Sequence, residues 1–184
     1  MSRVFIGGSR KITRLNIHIR KRLDRIMERV LSVLIGDANG ADKAVQRYFE
    51  ERGYGLVEVF CSDRAPRNNV GSWPVRIVRP SHATRDFDYY ATKDRVMAKE
   101  ATVGVMIWDG QSRGTLLNVL RLVAQDKKAL VYVTPKDSFT DVRTHQDFER
   151  LVASLDRGSA QRLHEQALSE GLTDGGGHQP QLPI

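Results

Sequence analysis

The chain predicts an α/β fold: a doubly wound, mostly parallel, five-stranded Rossmann-like sheet in the order 3-2-1-4-5, with helices on both faces. Three observations carry this. Five short apolar, β-branched runs recur along the chain, and helix-period segments alternate with them. Glycine-bearing junctions close the first, second and fourth runs, where a doubly wound sheet binds its ligands.

The first run, "RVFIG" (3–7), leads to a helical pattern at about 14–30, with Leu15, Ile19, Leu23, Ile26 and Val30 as the inward stripe. The second, "SVLIG" (32–36), passes through "GDANGAD" into a helix at about 41–53. The third, "LVEVFC" (56–61), meets an irregular stretch, 62–91, rich in Pro, Asn, Gly and Arg. Within it "PVRIVR" is a candidate short edge strand. A stretch of this length in a compact domain is functional or disordered. Over 64–95 seven basic residues, Arg64, Arg67, Arg76, Arg79, Arg85, Lys93 and Arg95, suggest a lid or recognition loop.

A helix follows at about 92–101, then the fourth run, "TVGVMIW" (102–108), a helix at about 114–126, and the fifth run, "ALVYVT" (129–134). Runs one, two and four are nearly continuously apolar, as expected of central strands covered on both faces. These elements make one domain, 1–136, with the basic insertion 62–91. Residues 137–171 read as a helical extension, two amphipathic helices parted near Gly158. The tail 172–184, "LTDGGGHQPQLPI", is expected to be disordered.

Composition narrows the function classes. The single cysteine, Cys61, excludes an internal disulfide and a CxxC site. His18, His82, His145, His164 and His178 lack ligand spacing, so neither a metal nor a required cofactor is expected. No apolar run approaches the ~20 residues of a membrane helix. "MSRVFIGGSRK" is broken too soon by glycine for a signal peptide, so a cytoplasmic protein without membrane partners is expected. The net charge is +7, and it is concentrated in residues 1–30. There His18, Arg22, Arg25 and Arg29 form an outward stripe, either a solvated face or a polyanion surface. No aromatics interleave with it to stack bases. Oligomeric state is not readable, and a homo-oligomer stays open.

Three junctions hold more than a turn needs. "GGSRK" supplies Gly7, Gly8, Ser9 and Arg10; "GDANGAD" supplies Gly36, Asp37, Asn39, Gly40 and Asp42; "DGQSRGT" supplies Asp109, Gly110, Ser112, Arg113, Gly114 and Thr115. In the predicted order all three converge on one crevice between strands one and four. Glycine admits a close ligand, first-turn amides lack helical partners, and the helix dipole favours an anion. Hydroxyls and arginines add donors to phosphate. Each loop alone reads equally as a capped turn. Neither G-x-x-x-x-G-K-[ST] nor G-x-G-x-x-G is present, which argues against a P-loop NTPase or an ordinary dinucleotide dehydrogenase.

"VFIGGSR", "GDANGADKAV", "KDRVM" and "IWDGQSRGTLLNVL", in this order, resemble the SLOG superfamily of Rossmann-like proteins. That group takes in the LOG phosphoribohydrolases, the DprA core and YpsA-like proteins. The resemblance spans about 3–134 and implies a site for a small phosphorylated nucleotide or nucleotide-derived ligand. Gly114 and Thr115 match its phosphate loop; Gly7, Gly8 and Ser9 match its first loop. LOG enzymes carry a glutamate in P-G-G-x-G-T-x-x-E, where this chain has the neutral Asn118. Their R-K-x-x-M is met by Lys93, Asp94 and Met97, keeping one cation.

Any chemistry therefore needs a carboxylate from Asp37, Asp42, Asp94 or Asp109, and Asp37, Asp42 and Lys93 are the catalytic candidates. Asp37 and Asp42 read equally as helix caps, and Asp109 as a turn residue. Asn118 reads as a ribose reader or an exposed helix residue. Tyr89 and Tyr90 are candidates to flank a base, while Trp73 and Trp108 read as packing. The leading expectation is a nucleotide-binding or sensor module without turnover. The alternatives are a nucleotide N-glycosidic hydrolase or transferase and, less favoured, a nucleic-acid-binding module that uses the first helix.

Overall fold

The computed structural model describes residues 2–172. Its strands are β1 (Arg3–Gly8), β2 (Ser32–Gly36), β3 (Val57–Cys61), β4 (Val75–Ile77), β5 (Val103–Trp108), β6 (Ala129–Val133) and β7 (Ser138–Val142). Its helices are α1 (Ile17–Glu28), α2 (Ala41–Glu50), α3 (Phe87–Glu100), α4 (Arg113–Val123), α5 (His145–Val152) and α6 (Arg157–Ser169).

One sheet runs β4-β3-β2-β1-β5-β6-β7. Every pairing is parallel except that of β6 with β7. The expected five-stranded sheet is thus corrected to seven strands. The five expected runs occupy the centre, and the edges are β4, which lies in the candidate edge strand "PVRIVR", and β7, which was not expected. β4 is only three residues long, with Val75 and Ile77 exposed, so it lacks the buried apolar signature of a strand. β7, "SFTDV", opens the segment expected to be helical, because its register with β6 buries Val142.

Strand pleating sends alternate residues to opposite faces. Val4 and Ile6 of β1 join Ile19, Leu23, Val45 and Phe49 in the layer under α1 and α2. Phe5 joins Met97, Leu116 and Leu120, and Phe148 and Leu163 extend that layer beneath α5 and α6. Helix ends follow capping chemistry. Asp86 accepts from the Tyr89 amide at 2.9 Å, which starts α3 at Phe87 rather than near 92. Val30, expected on the inward stripe of α1, instead lies past its end at φ 53° and is exposed. The expectation for the tail 172–184 falls, Leu172 apart, on residues outside those described.

The strand order reverses at β1, which lies between β2 and β5. The carboxyl ends of these strands therefore face a crevice roofed by the first turns of α3 and α4.

Candidate functional site

That crevice is a cleft of about 450 Å³. Gly7, Gly8 and Arg10 line it from the end of β1; Gly36, Ala38 and Asp42 from the β2–α2 junction; Ser112, Gly114, Thr115 and Asn118 from α4. Lys93 lines it from α3. The structure therefore brings together residues of all three junctions.

The other candidates do not line the cleft, and all of them but Arg113 have a structural role. Asp37, 1% exposed, takes two bonds from the Arg67 guanidinium, at 2.7 and 3.0 Å, and one from its amide at 3.0 Å. Burial pushes its carboxyl up, but the Arg67 bonds outweigh that and hold it below the usual range. Asn39 Oδ1 accepts from Asn68 at 3.1 Å, so both residues anchor the 67–68 loop. Ser9 donates to Asp109 at 2.7 Å, and Asp109 also accepts from the amides of Gln111 (3.0 Å) and Ser112 (2.7 Å). Gly40 (φ 88°) and Gly110 (φ 85°) serve backbone geometry; a Cβ on Gly40 would overlap the Arg10 backbone. Arg113 is half-buried in the first turn of α4, where Gly114 and Thr115 face the cleft instead.

The two aspartates of "GDANGAD" thus divide their work, for Asp42 faces the cleft. It is 6% exposed, and Oδ2 accepts from the Ala38 amide at 3.2 Å. Gly36 makes this arrangement fit: a Cβ there would overlap Asp42 Oδ2 and lie 2.9 Å from Lys93 Nζ. Burial pushes the Asp42 carboxyl up to about 7, against the pull of Lys93. Burial also opposes charge on Lys93, but Asp94 and Asp42 outweigh it and raise the ammonium above its usual value. Lys93 Nζ donates to Asp94 at 2.6 Å. The cleft therefore holds a charged lysine beside one ionised carboxylate and one that titrates near neutrality, a division suited to acid–base chemistry.

Asn118 is oriented rather than free. Its Nδ2 donates to Asp94 at 3.2 Å, and its Oδ1 accepts from Arg121 at 2.5 Å. Arg121, 2% exposed, is held by Glu170 at the end of α6 through bonds of 2.8 and 2.6 Å. A polar chain thus runs from the cleft floor to the last helix.

Sequence reasoning missed several lining residues, Phe5, Ala38, Asp86, Phe87 and Ala91, and named Arg85 only as part of a basic lid or recognition loop. Arg85, Asp86 and Phe87 come from the irregular segment, which has no periodicity to aim them. Of the two tyrosines only Tyr90 lines the cleft, with the guanidinium of Arg67 4.9 Å and that of Arg10 5.6 Å from its ring centre. Tyr89 turns away, donating to Asp63 at 2.8 Å. Trp108 is 1% exposed in the core, and Trp73 Nε1 donates to the Tyr54 carbonyl at 3.0 Å. The basic stripe of α1 is less open than expected, since Arg22 is half-buried 5.3 Å from the Phe139 ring. Among the described residues no helix is long and apolar enough to cross a membrane, and no His/Cys/Asp/Glu group is arranged for a metal.

No family model matches the chain, and no curated protein matches it. In fold it is similar to DNA processing protein A (DprA) from Helicobacter pylori, a structure described for its mode of binding single-stranded DNA. The TM-score is 0.50 at 10% identity, with 94% of this chain and 74% of that one covered. At this identity the likeness is one of fold: the chain has a DprA-like fold.

Proposed function

We propose that the cleft binds a nucleotide or nucleotide-derived ligand, with phosphate at the start of α4. The observation that carries this reading is the convergence of three glycine-bearing junctions on one cleft that also holds Lys93 and the Tyr90 ring. The first-turn amides of α4 lack helical acceptors, and the helix dipole favours an anion there. Ser112 and Thr115 add hydroxyls, 3.0 Å apart. Arg10 and Arg85 bring charge to the rim, and Tyr90 offers a face to a base.

A second reading, in which the nucleotide belongs to a single-stranded nucleic acid, is supported by the DprA-like fold and the net charge of +7. N-glycosidic hydrolysis or transfer would have to use Asp42 or Asp94, because Asn118 is neutral where LOG enzymes have an acid. We take binding without efficient turnover as the primary activity.

Gly114→Val tests the phosphate loop. A Cβ at Gly114 meets only Phe87 Cε2, at 3.8 Å, so the added side chain enters the cleft rather than the core. Calorimetric titration with nucleoside monophosphates should show affinity at least about tenfold lower, ~1.4 kcal/mol, with the melting temperature retained. Equal affinity in the variant would remove the loop assignment.

A further inference from the structure

A second hollow, of about 950 Å³, opens beside the cleft between residues 62–65 and the segment 77–85. Arg85 lines both spaces. Tyr89, on the wall of the hollow, holds its ring centre 5.1 Å from that of Tyr90 in the cleft. Only the first turn of α3 separates the two.

Three features of this hollow suit a second nucleotide unit. Arg64 and Arg79 stand exposed on it and form no ion pair among the described residues. Its one lining carboxylate, Asp63, is already engaged by Arg85 and by the Tyr89 hydroxyl, each at 2.8 Å. Ser62 lines it at 5% exposure, and its hydroxyl has no hydrogen-bond partner among the described residues. Buried hydroxyls nearly always have partners, because leaving one unpaired costs free energy. Ile77, 46% exposed, and Pro80 supply an apolar surface for a base.

We propose that this hollow is a subsite for a second nucleotide unit, with its phosphate on Arg64 and Arg79 and a polar group on the Ser62 hydroxyl. The ligand then has two nucleotide units joined through phosphate, as a free dinucleotide or within a single strand. This rests on the reading of the cleft as a nucleotide site.

The test is calorimetric titration of the full chain with three probes: thymidine 5′-monophosphate, the 5′-phosphorylated thymidine dinucleotide and a thymidine dodecamer. The dinucleotide should bind wild type at least about tenfold more tightly than the monophosphate. Arg64→Gln with Arg79→Gln, at exposed positions, should abolish that advantage and leave monophosphate affinity unchanged. Ser62→Ala should reduce it with no loss of melting temperature. A dodecamer bound no more tightly than the dinucleotide would support a free dinucleotide ligand, and a tighter one a strand. Monophosphate binding with no dinucleotide advantage, or an advantage the arginine variant keeps, would overturn the subsite alone. No binding of any probe would overturn both the subsite and the nucleotide reading of the cleft.

Discussion

At the residue scale the cleft turns on Asp42. Burial raises its carboxyl to about 7, so it is largely protonated at pH 6 and ionised at pH 8. Two like unit charges ~9 Å apart at an effective dielectric near 20 repel by ~2 kcal/mol, so a new charge on Asp42 opposes a phosphate bound in the same cleft. Affinity for a nucleotide should therefore fall about tenfold from pH 6 to pH 8, and Asp42→Asn should flatten that profile. Stability carries the same sign. Between the unfolded value near 4 and about 7, the folded chain keeps a proton that the unfolded chain has lost. Stability thus falls as pH rises through that window, by up to ~4 kcal/mol. Asp42→Asn should gain on wild type over the same range in urea unfolding at pH 5 and pH 8. A pH-independent difference would show that the carboxyl is not raised.

At the element scale, α6 is held to α4 by charge as well as by apolar packing. Glu170 meets Arg121, buried at 2% exposure, and also accepts from Arg95 at 3.2 Å. Removing one partner of a buried pair strands the other, at a cost of about 3–5 kcal/mol. Glu170→Ala should lower the unfolding free energy by about 3 kcal/mol, and Arg121→Met in that background should restore most of it. Equal losses from the single and double variants would show that the pair is not coupled. This pairing spans elements far apart in the chain, so no local spacing announces it.

The same limit explains which elements could be read in advance. The central strands were legible because Val4, Phe5 and Ile6 bury both faces and leave a continuous apolar run. β4 was legible only as the candidate edge strand "PVRIVR", and β7 was not expected as a strand, since edge strands expose residues such as Val75 and Asp141. In the site, Gly114 and Thr115 were legible as a helix start. The Asp37–Arg67 pairing was not, because it depends on how the irregular 62–86 segment folds back over β2.

At the scale of the whole molecule, charge and site are separated. Residues 1–30 carry the +7, yet α1 packs in the layer with α2, and neither its Arg22 and Arg25 nor Arg29 just past its end line the cleft. Changing all three to Gln should leave nucleotide affinity within about twofold at 0.15 M salt, where the Debye length is ≈ 8 Å. A drop comparable to that of Gly114→Val would move the binding surface to α1. The most direct test of the cleft is an amide NMR titration with thymidine and adenosine 5′-monophosphates, which locates binding without a substitution. The amides of Gly8, Ala38, Tyr90, Gly114 and Thr115 are predicted to shift together and saturate at one affinity. Shifts confined to His18–Arg25 and Phe139, with the cleft amides unmoved, would contradict the account.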